Sequence, residues 1–225
     1  MEIQYFGHSS IAIQTNNFNL IVDPFISANP KASNIDIDKL EVDYILLTHA
    51  HYDHVLDVER IASRTKAQII SNHEVVSYFE KKDLKGHGMN QGGSWDFEFG
   101  RVTVVNAIHS SSFADGTYGG NPVGFILEAE GKSIYLAGDT DLMMDMKLIP
   151  MFHKLDLAIL PIGGNFTMDV KKAIVASDFI ECNKIMGIHY DTSPIIEIDH
   201  EEAKRQFSEK DKELILMSIG ERMTI

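Results

Sequence analysis

The sequence predicts an α/β (α+β) protein in which sheets stack in layers and helices cover their outer faces. Two observations carry this. Apolar, strand-like runs recur along all 225 residues, and clusters of them are separated by segments with helical spacing. No low-complexity segment or proline-rich linker interrupts the series, so residues 1–225 are expected to form one domain. A domain of this size buries roughly 70% of the surface its unfolded chain exposes and needs no covalent staple.

Ile3–Phe6, Ser10–Gln14 and Asn19–Val22 read as three short strands opening an antiparallel meander, with Asn16-Asn17 turning between the last two. Asp36–Val42 is a polar approach to a buried strand, Asp43–Thr48. Asp57–Arg64 reads as a short helix with Asp57 at its start. Gln68–Ser71 is a strand, Glu74–Lys81 a helix and Gly86–Gly93 a glycine-rich connection. Trp95, Phe97 and Phe99 alternate in strand fashion and are expected in the core, and Val102–Ile108 is the next strand. Gly124–Glu128 and Ser133–Ala137 flank the Glu130-Gly131 turn as a hairpin. Asp156–Pro161 is an apolar strand, and Val170, Ala173, Ile174 and Phe179 give Asp169–Asn183 a helical period. Lys184–Ile188 (strand), His200–Ser208 (helix) and Glu213–Met217 (strand) complete the order.

Composition narrows the class. Hydrophobic residues make up 44% and charged residues 24%, ordinary for a soluble globular protein. The single cysteine, Cys182, excludes an intrachain disulfide and fits a reducing compartment; it reads as a small buried hydrophobe. Met1–Tyr5 has neither the basic region nor the apolar core of a signal peptide, and no apolar run reaches membrane-spanning length. A cytoplasmic protein with no membrane contact is therefore expected. The net charge of −13 argues against a nucleic-acid partner, because phosphate backbones are held by clustered Lys and Arg. Homo-oligomers remain open, since no diagnostic interface is legible.

The chemistry concentrates in Thr48-His49-Ala50-His51-Tyr52-Asp53-His54, directly after the apolar run Tyr44–Leu47. With only 10 histidines in 225 residues, three of them in this pattern arise by chance in roughly 10⁻⁴ of windows. Imidazole nitrogen and carboxylate oxygen are ligands for zinc, iron or manganese, and a turn can aim all four at one centre where a regular helix or strand cannot. His109, Asp139 and His189 each stand at the C-terminal end of a predicted strand, where sites are usually assembled. Gly138 before Asp139 allows close backbone approach. Seven ligands are too many for one ion. Two ions share the set economically: His49, His51 and His109 for one, Asp53, His54 and His189 for the other, and Asp139 as a bridge. Two metals about 3.5–4 Å apart can hold a hydroxide between them.

His49-x-His51-x-Asp53-His54, then His109, Asp139 and His189 in that order, resembles the metallo-β-lactamase superfamily over nearly the whole chain. The resemblance implies a four-layer αββα sandwich with a dinuclear site at one edge of the two sheets. Phe6–Ser10, Val22–Phe25 and Pro161–Met168 narrow it to stand-alone metal-dependent hydrolases related to the ascorbate-6-phosphate lactonases. Asp139 stands where one main class of zinc β-lactamases has Cys, and His54 where that class has Arg. His51 stands where flavodiiron proteins have Glu. No flavin domain, helical C-terminal domain or basic RNA-binding arm is visible.

The implied activity is hydrolysis of a small ester, lactone or phosphoester by a bridging hydroxide between two divalent ions, zinc or manganese. Asp53 would bind one ion, orient the hydroxide and handle its proton. A nuclease or phosphodiesterase, and a non-hydrolytic metal-binding or redox protein, are the alternatives. His8 reads as lining the pocket, contacting substrate or leaving group, or else as a turn histidine held by backbone. Asp23 reads as an acceptor orienting a ligand imidazole or as a simple turn carboxylate. Asn165 and Thr167 read as substrate hydrogen-bonders or as parts of a structural turn. His73, His87, His153 and His200 match no motif and are expected at the surface or at caps.

Overall fold

The computed structural model describes residues 1–225. The opening meander forms as expected from β1 (Glu2–Gly7), β2 (Ser10–Thr15) and β3 (Phe18–Val22). Its β2–β3 turn holds Asn16 and Asn17 at φ 48° and 67°, the left-handed region that Asn tolerates better than other residues with a side chain. Three strands then add in parallel: β4 (Tyr44–Leu46), β5 (Gln68–Asn72) and β6 (Gly86–Met89). A terminal strand, β14 (Arg222–Thr224), pairs antiparallel with β1 and closes this first sheet of seven.

The second sheet repeats the plan. β7 (Ser94–Phe97), β8 (Gly100–Asn106), β9 (Val123–Ala129) and β10 (Lys132–Leu136) run antiparallel. β11 (Leu157–Pro161), β12 (Lys184–Ile188) and β13 (Glu213–Ile215) follow in parallel. The connections between parallel strands carry helices: α2 (Val58–Thr65) and α3 (His73–Glu80) on the first sheet, α4 (Ile149–Phe152), α5 (Val170–Phe179) and α6 (His200–Ser208) on the second. A single turn of helix, α1 (Tyr52–Val55), sits inside the histidine motif.

Side-chain alternation explains the layering. Leu46 of β4 joins a core shared by both sheets, while its neighbours Ile45 and Leu47 join a second core under α2 and α3. In β11, Leu157 and Ile159 face the shared core, and Ala158 and Leu160 face a third core under α5 and α6. Strands buried on both faces read as continuous apolar runs, and that is how Tyr44–Leu47 and Leu157–Pro161 read. The result is the expected αββα sandwich.

Some expectations fail locally. Gly86–Gly93 is not wholly a connection, because Gly86–Met89 forms edge strand β6. Its Gly-His-Gly-Met run has no alternating period, and the pairing is supplied by the open edge of β5. Trp95 is not core: it is 54% exposed on edge strand β7, at the margin of the sandwich, where its ring meets that of His87 of edge strand β6, with centroids 5.1 Å apart. Phe97 is half-buried and Phe99 fully buried. Asp57 precedes α2 but does not cap it; its carboxylate accepts from the amides of Ile26 and Ser27 and the hydroxyl of Ser27. α5 stops at Phe179, short of Asn183, as Glu181 turns to φ 51°. No helix is long and apolar enough to cross a membrane.

Cys182 is 2% exposed, and burial pushes its thiol pKa up. A buried, protonated thiol is a poor nucleophile. The native protein should therefore resist an aromatic disulfide reagent at mildly alkaline pH and react orders of magnitude faster once denatured, as read by chromophore release.

Candidate metal centre

The site forms where loops leave one end of both sheets. His8 follows β1, Asp23 follows β3, and His49–His54 follow β4. From the second sheet come His109 beyond β8, Asp139 beyond β10 and His189 immediately after β12. All seven predicted ligands come together. The ligand atoms of His49, His51 and His109 lie within 4.8 Å of one another, as do those of His8, Asp53, His54 and His189, and those of His49, His54 and Asp139.

Asp139 is the meeting point. It is 2% exposed, and its Oδ2 lies 3.0 Å from His189 Nε2, 3.3 Å from His54 Nε2 and 3.7 Å from His109 Nε2. Its Oδ1 has no hydrogen-bond partner, and neither does His54 Nε2. The other nitrogen of His54, Nδ1, is 2.9 Å from Asp23 Oδ2 and donates to it. In the neutral imidazole, Nε2 therefore carries its lone pair toward the Asp139 carboxylate. Two acceptors facing each other in a buried place are unfavourable unless a cation stands between them. The donor set thus fits divalent metal ions.

Asp23 sets the orientation of two ligands at once. It is 1% exposed and accepts from the Thr48 amide at 2.8 Å, the Thr48 hydroxyl at 2.7 Å and His54 Nδ1 at 2.9 Å. Because the Thr48 hydroxyl donates to Asp23, its oxygen accepts from His49 Nδ1 at 3.0 Å. That leaves the lone pair of His49 on Nε2, facing inward. A carboxylate or hydroxyl behind an imidazole fixes its tautomer and raises its basicity as a ligand. The alternative reading of Asp23 as a simple turn carboxylate does not describe these contacts.

Burial holds the imidazoles of His49, His51 and His109 below the ordinary histidine range, so they are neutral and ready to bind metal. His54 goes the other way: burial lowers its pKa, but Asp139 and Asp23 outweigh it and raise it well above the usual value. Between two carboxylates, a proton takes the place a cation would fill. The Asp139 carboxyl is held well below the carboxylate range, since His54 and His189 outweigh the opposing effect of burial.

His8 sits deeper than a pocket lining. Its Nε2 is 2.9 Å from Asp53 Oδ2, and its Nδ1 is 2.9 Å from the Thr192 hydroxyl. Burial keeps His8 below the ordinary pKa against the pull of Asp53, so it is neutral. The consistent arrangement has Nε2–H donating to Asp53 and the Thr192 hydroxyl donating to Nδ1. His8 also touches the rings of His189 and Phe25, with centroids 4.2 and 5.5 Å away. Its φ of 55° shows a turn conformation, and its carbonyl accepts from the His189 amide at 2.8 Å.

The remaining candidates divide. Asn165 is exposed, Thr167 is half-buried with its hydroxyl turned to the Met168 carbonyl, and neither bonds to the cluster. Their loop is nevertheless adjacent: a Cβ on Gly163 would lie 2.1 Å from the His189 carbonyl oxygen. Gly138, at φ +62°, packs so closely on Thr48 that a Cβ there would lie 2.7 Å from that side chain. His73, His87, His153 and His200 stay outside the cluster. Sequence reasoning missed Thr192 and placed Ser110 on a rim beside His109 without its contact, a hydroxyl 3.3 Å from His51 Nε2. A lone Thr or Ser in a loop carries no signal of such a contact. A cavity of about 710 Å³ lies elsewhere, lined by Val104, Ile126, Met143 and Ile149, and none of the predicted ligands lines it.

Comparison with known proteins agrees with this geometry. Residues 18–190 match the beta-lactamase superfamily domain, a span that contains every predicted ligand from His49 to His189. The chain belongs to the metallo-β-lactamase superfamily. Within that superfamily it is 62% identical to a UPF0173 metal-dependent hydrolase of Flavobacterium johnsoniae, over 225 residues and 100% of both chains. It is 44% identical to another of that name from Methylacidiphilum infernorum, again over 100% of each. Igni18, a novel metallo hydrolase from Ignicoccus hospitalis, superposes with a TM-score of 0.90 at 32% identity, covering 100% of this chain and 97% of that one. An isothiocyanate hydrolase from Delia radicum gut bacteria shares the fold, with a TM-score of 0.81 at 16% identity over 100% of this chain and 99% of that one.

If Asp23 orients both imidazoles, Asp23→Ala should weaken metal binding by about 10–100-fold. Thr48→Val, which removes only the hydroxyl behind His49, should cost less than Asp23→Ala. Competition with a chromophoric chelator measures both. Equal affinities for Asp23→Ala and the wild type would refute the assignment.

Proposed function

We propose that this metal-dependent hydrolase works with two divalent ions, zinc or manganese, on a small ester, lactone or phosphoester. The observation that carries the dinuclear reading is the convergence of three imidazole Nε2 atoms on one buried oxygen of Asp139, from both ligand groups. One ion would be held by His49, His51 and His109, the other by Asp53, His54 and His189, with Asp139 shared. Bound there, the ions would bring the pKa of a shared water to about 7 and polarise the bond to be cut.

The protein's own groups supply position and proton transfer. Asp53 is the ligand nearest solvent in its group, with its side chain 38% exposed, while His54 and Asp139 are buried. It can accept a proton from an attacking water on the open side. His8 keeps Asp53 in place through Nε2–H, and Thr192 in turn fixes the ring of His8. The same carboxylate can hand that proton on to the leaving group, directly or through water. His8, with both ring nitrogens engaged, is therefore a positioning residue for Asp53.

Asp53→Asn keeps the shape and one oxygen but removes the charge. Hydrolysis should fall by about 10²-fold or more, the range of a lost general base. The His49–His51–His109 group should retain its ion. His8→Ala should leave metal content unchanged and lower turnover, because its nitrogen is engaged with Asp53. Asp139→Ala should lower occupancy of both sites. Metal analysis and kinetics on the same preparations, against lactones, thioesters and phosphodiesters, test all three. Loss of an ion in His8→Ala would make His8 a ligand. Two tightly held ions in Asp139→Ala would end the bridging assignment.

A further inference from the structure

The rim of the site has a chemistry of its own. Segments 7–9, 23–29, 48–57, 107–122, 137–143, 162–169 and 189–199 carry or flank the ligands, and none contains a Lys or Arg. Lys172 approaches from α5, but its ammonium is paired with Asp141 at 2.6 Å. Of the carboxylates on these segments, Asp141 is offset by that same Lys172 and Asp191 is bonded to His200 Nε2 at 2.6 Å. A phosphate or carboxylate substituent is normally held by Arg or Lys, and these segments offer neither unpaired.

Exposed apolar side chains stand on these same segments. Tyr52 is 52% exposed between His51 and Asp53, and Ile108 is 56% exposed just before His109. Phe166 is 54% exposed on the loop that packs against the His189 carbonyl, and Ile195 is 60% exposed shortly after His189. Phe25 joins Tyr52 to the site, with ring centroids 5.5 Å from His8 and 6.1 Å from Tyr52. Scattered exposed hydrophobes are ordinary, but these four all stand on loops bearing the predicted ligands, with no Lys or Arg on the same segments.

We infer that the substrate is an uncharged carboxylic ester or lactone with an aliphatic or aryl group beside the bond to be cut, and that it is not phosphorylated. This rests on the metal site proposed above. Tyr52, Ile108, Phe166 and Ile195 would cover the apolar group, while an anionic substituent would find no unpaired Lys or Arg on these segments.

Hydroxamic acids, which chelate zinc, probe the rim without turnover. Acetohydroxamic, butyrohydroxamic, octanohydroxamic and phosphonoacetohydroxamic acids are titrated calorimetrically into zinc-loaded protein whose metal content has been measured. Affinity should rise about two- to fourfold per methylene covered, and the phosphono compound should bind no better than acetohydroxamic acid. Phe166→Ala and Ile195→Ala, both at exposed positions, should flatten the chain-length dependence and leave acetohydroxamic acid binding unchanged. A flat series, tighter binding of the phosphono compound, or no binding by any of them to zinc-loaded protein would overturn the inference. Alkyl γ-lactones should follow the same order in kcat/KM. A rising hydroxamate series with no hydrolysis of any ester or lactone would overturn the substrate assignment and the hydrolytic reading together, and would leave the apolar rim standing. Hydrolysis that favours phosphorylated substrates would overturn this inference alone.

Discussion

A buried crowd of lone pairs cannot hold itself together, and the loops at this end of the molecule are arranged around that constraint. Asp139 and His54 are each out of solvent, and Asp139 Oδ1 and His54 Nε2 lack partners. Leaving such groups unpaired is costly in a place of low dielectric. Two imidazoles commit a donor outward, His54 Nδ1 to Asp23 and His49 Nδ1 to Thr48, and so turn the other nitrogen inward as an acceptor. Acceptors turned inward in this way fit positive ions, and on the reading proposed above metal binding would also order the loops that carry them.

The two sheets meet at the same point. The His8 carbonyl, after the first strand of one sheet, accepts from the His189 amide at the end of a parallel strand of the other, and from the Tyr5 hydroxyl at 3.2 Å. The ring of Tyr5 stacks on Tyr190, the next residue after His189. His8 thus couples the halves of the sandwich by its backbone and Asp53 by its ring. Asp139 receives ligands from both halves, His54 from the first sheet and His109 and His189 from the second. Relative movement of the sheets would separate the ligands.

Much of this was legible in the sequence because the strands announce themselves. Tyr44–Leu47, Lys184–Ile188 and Ser133–Ala137 are apolar on both faces, so their ends, and the ligands just beyond, could be placed without knowing the topology. The His49–His54 spacing is local and dense enough to stand by itself. Contacts that depend on distant segments meeting were not legible. Asp53 and His8 are separated by 45 positions and His8 and Thr192 by 184. Asp57 looked like a helix cap because a cap is the local use of such a residue, but its partners, Ile26 and Ser27, come from another loop. Edge strands failed for a related reason. Gly86–Met89 has no pattern of its own, and Trp95 follows a strand pattern but lies at the margin of the sandwich, where His87 of the other sheet's edge meets it.

The central claim is that two cations complete the acceptor crowd around Asp139. Calorimetric titration of zinc into metal-free protein tests it most directly. The account predicts saturation at two ions per chain. Saturation at one ion, with the protein fully active in that state, would contradict it.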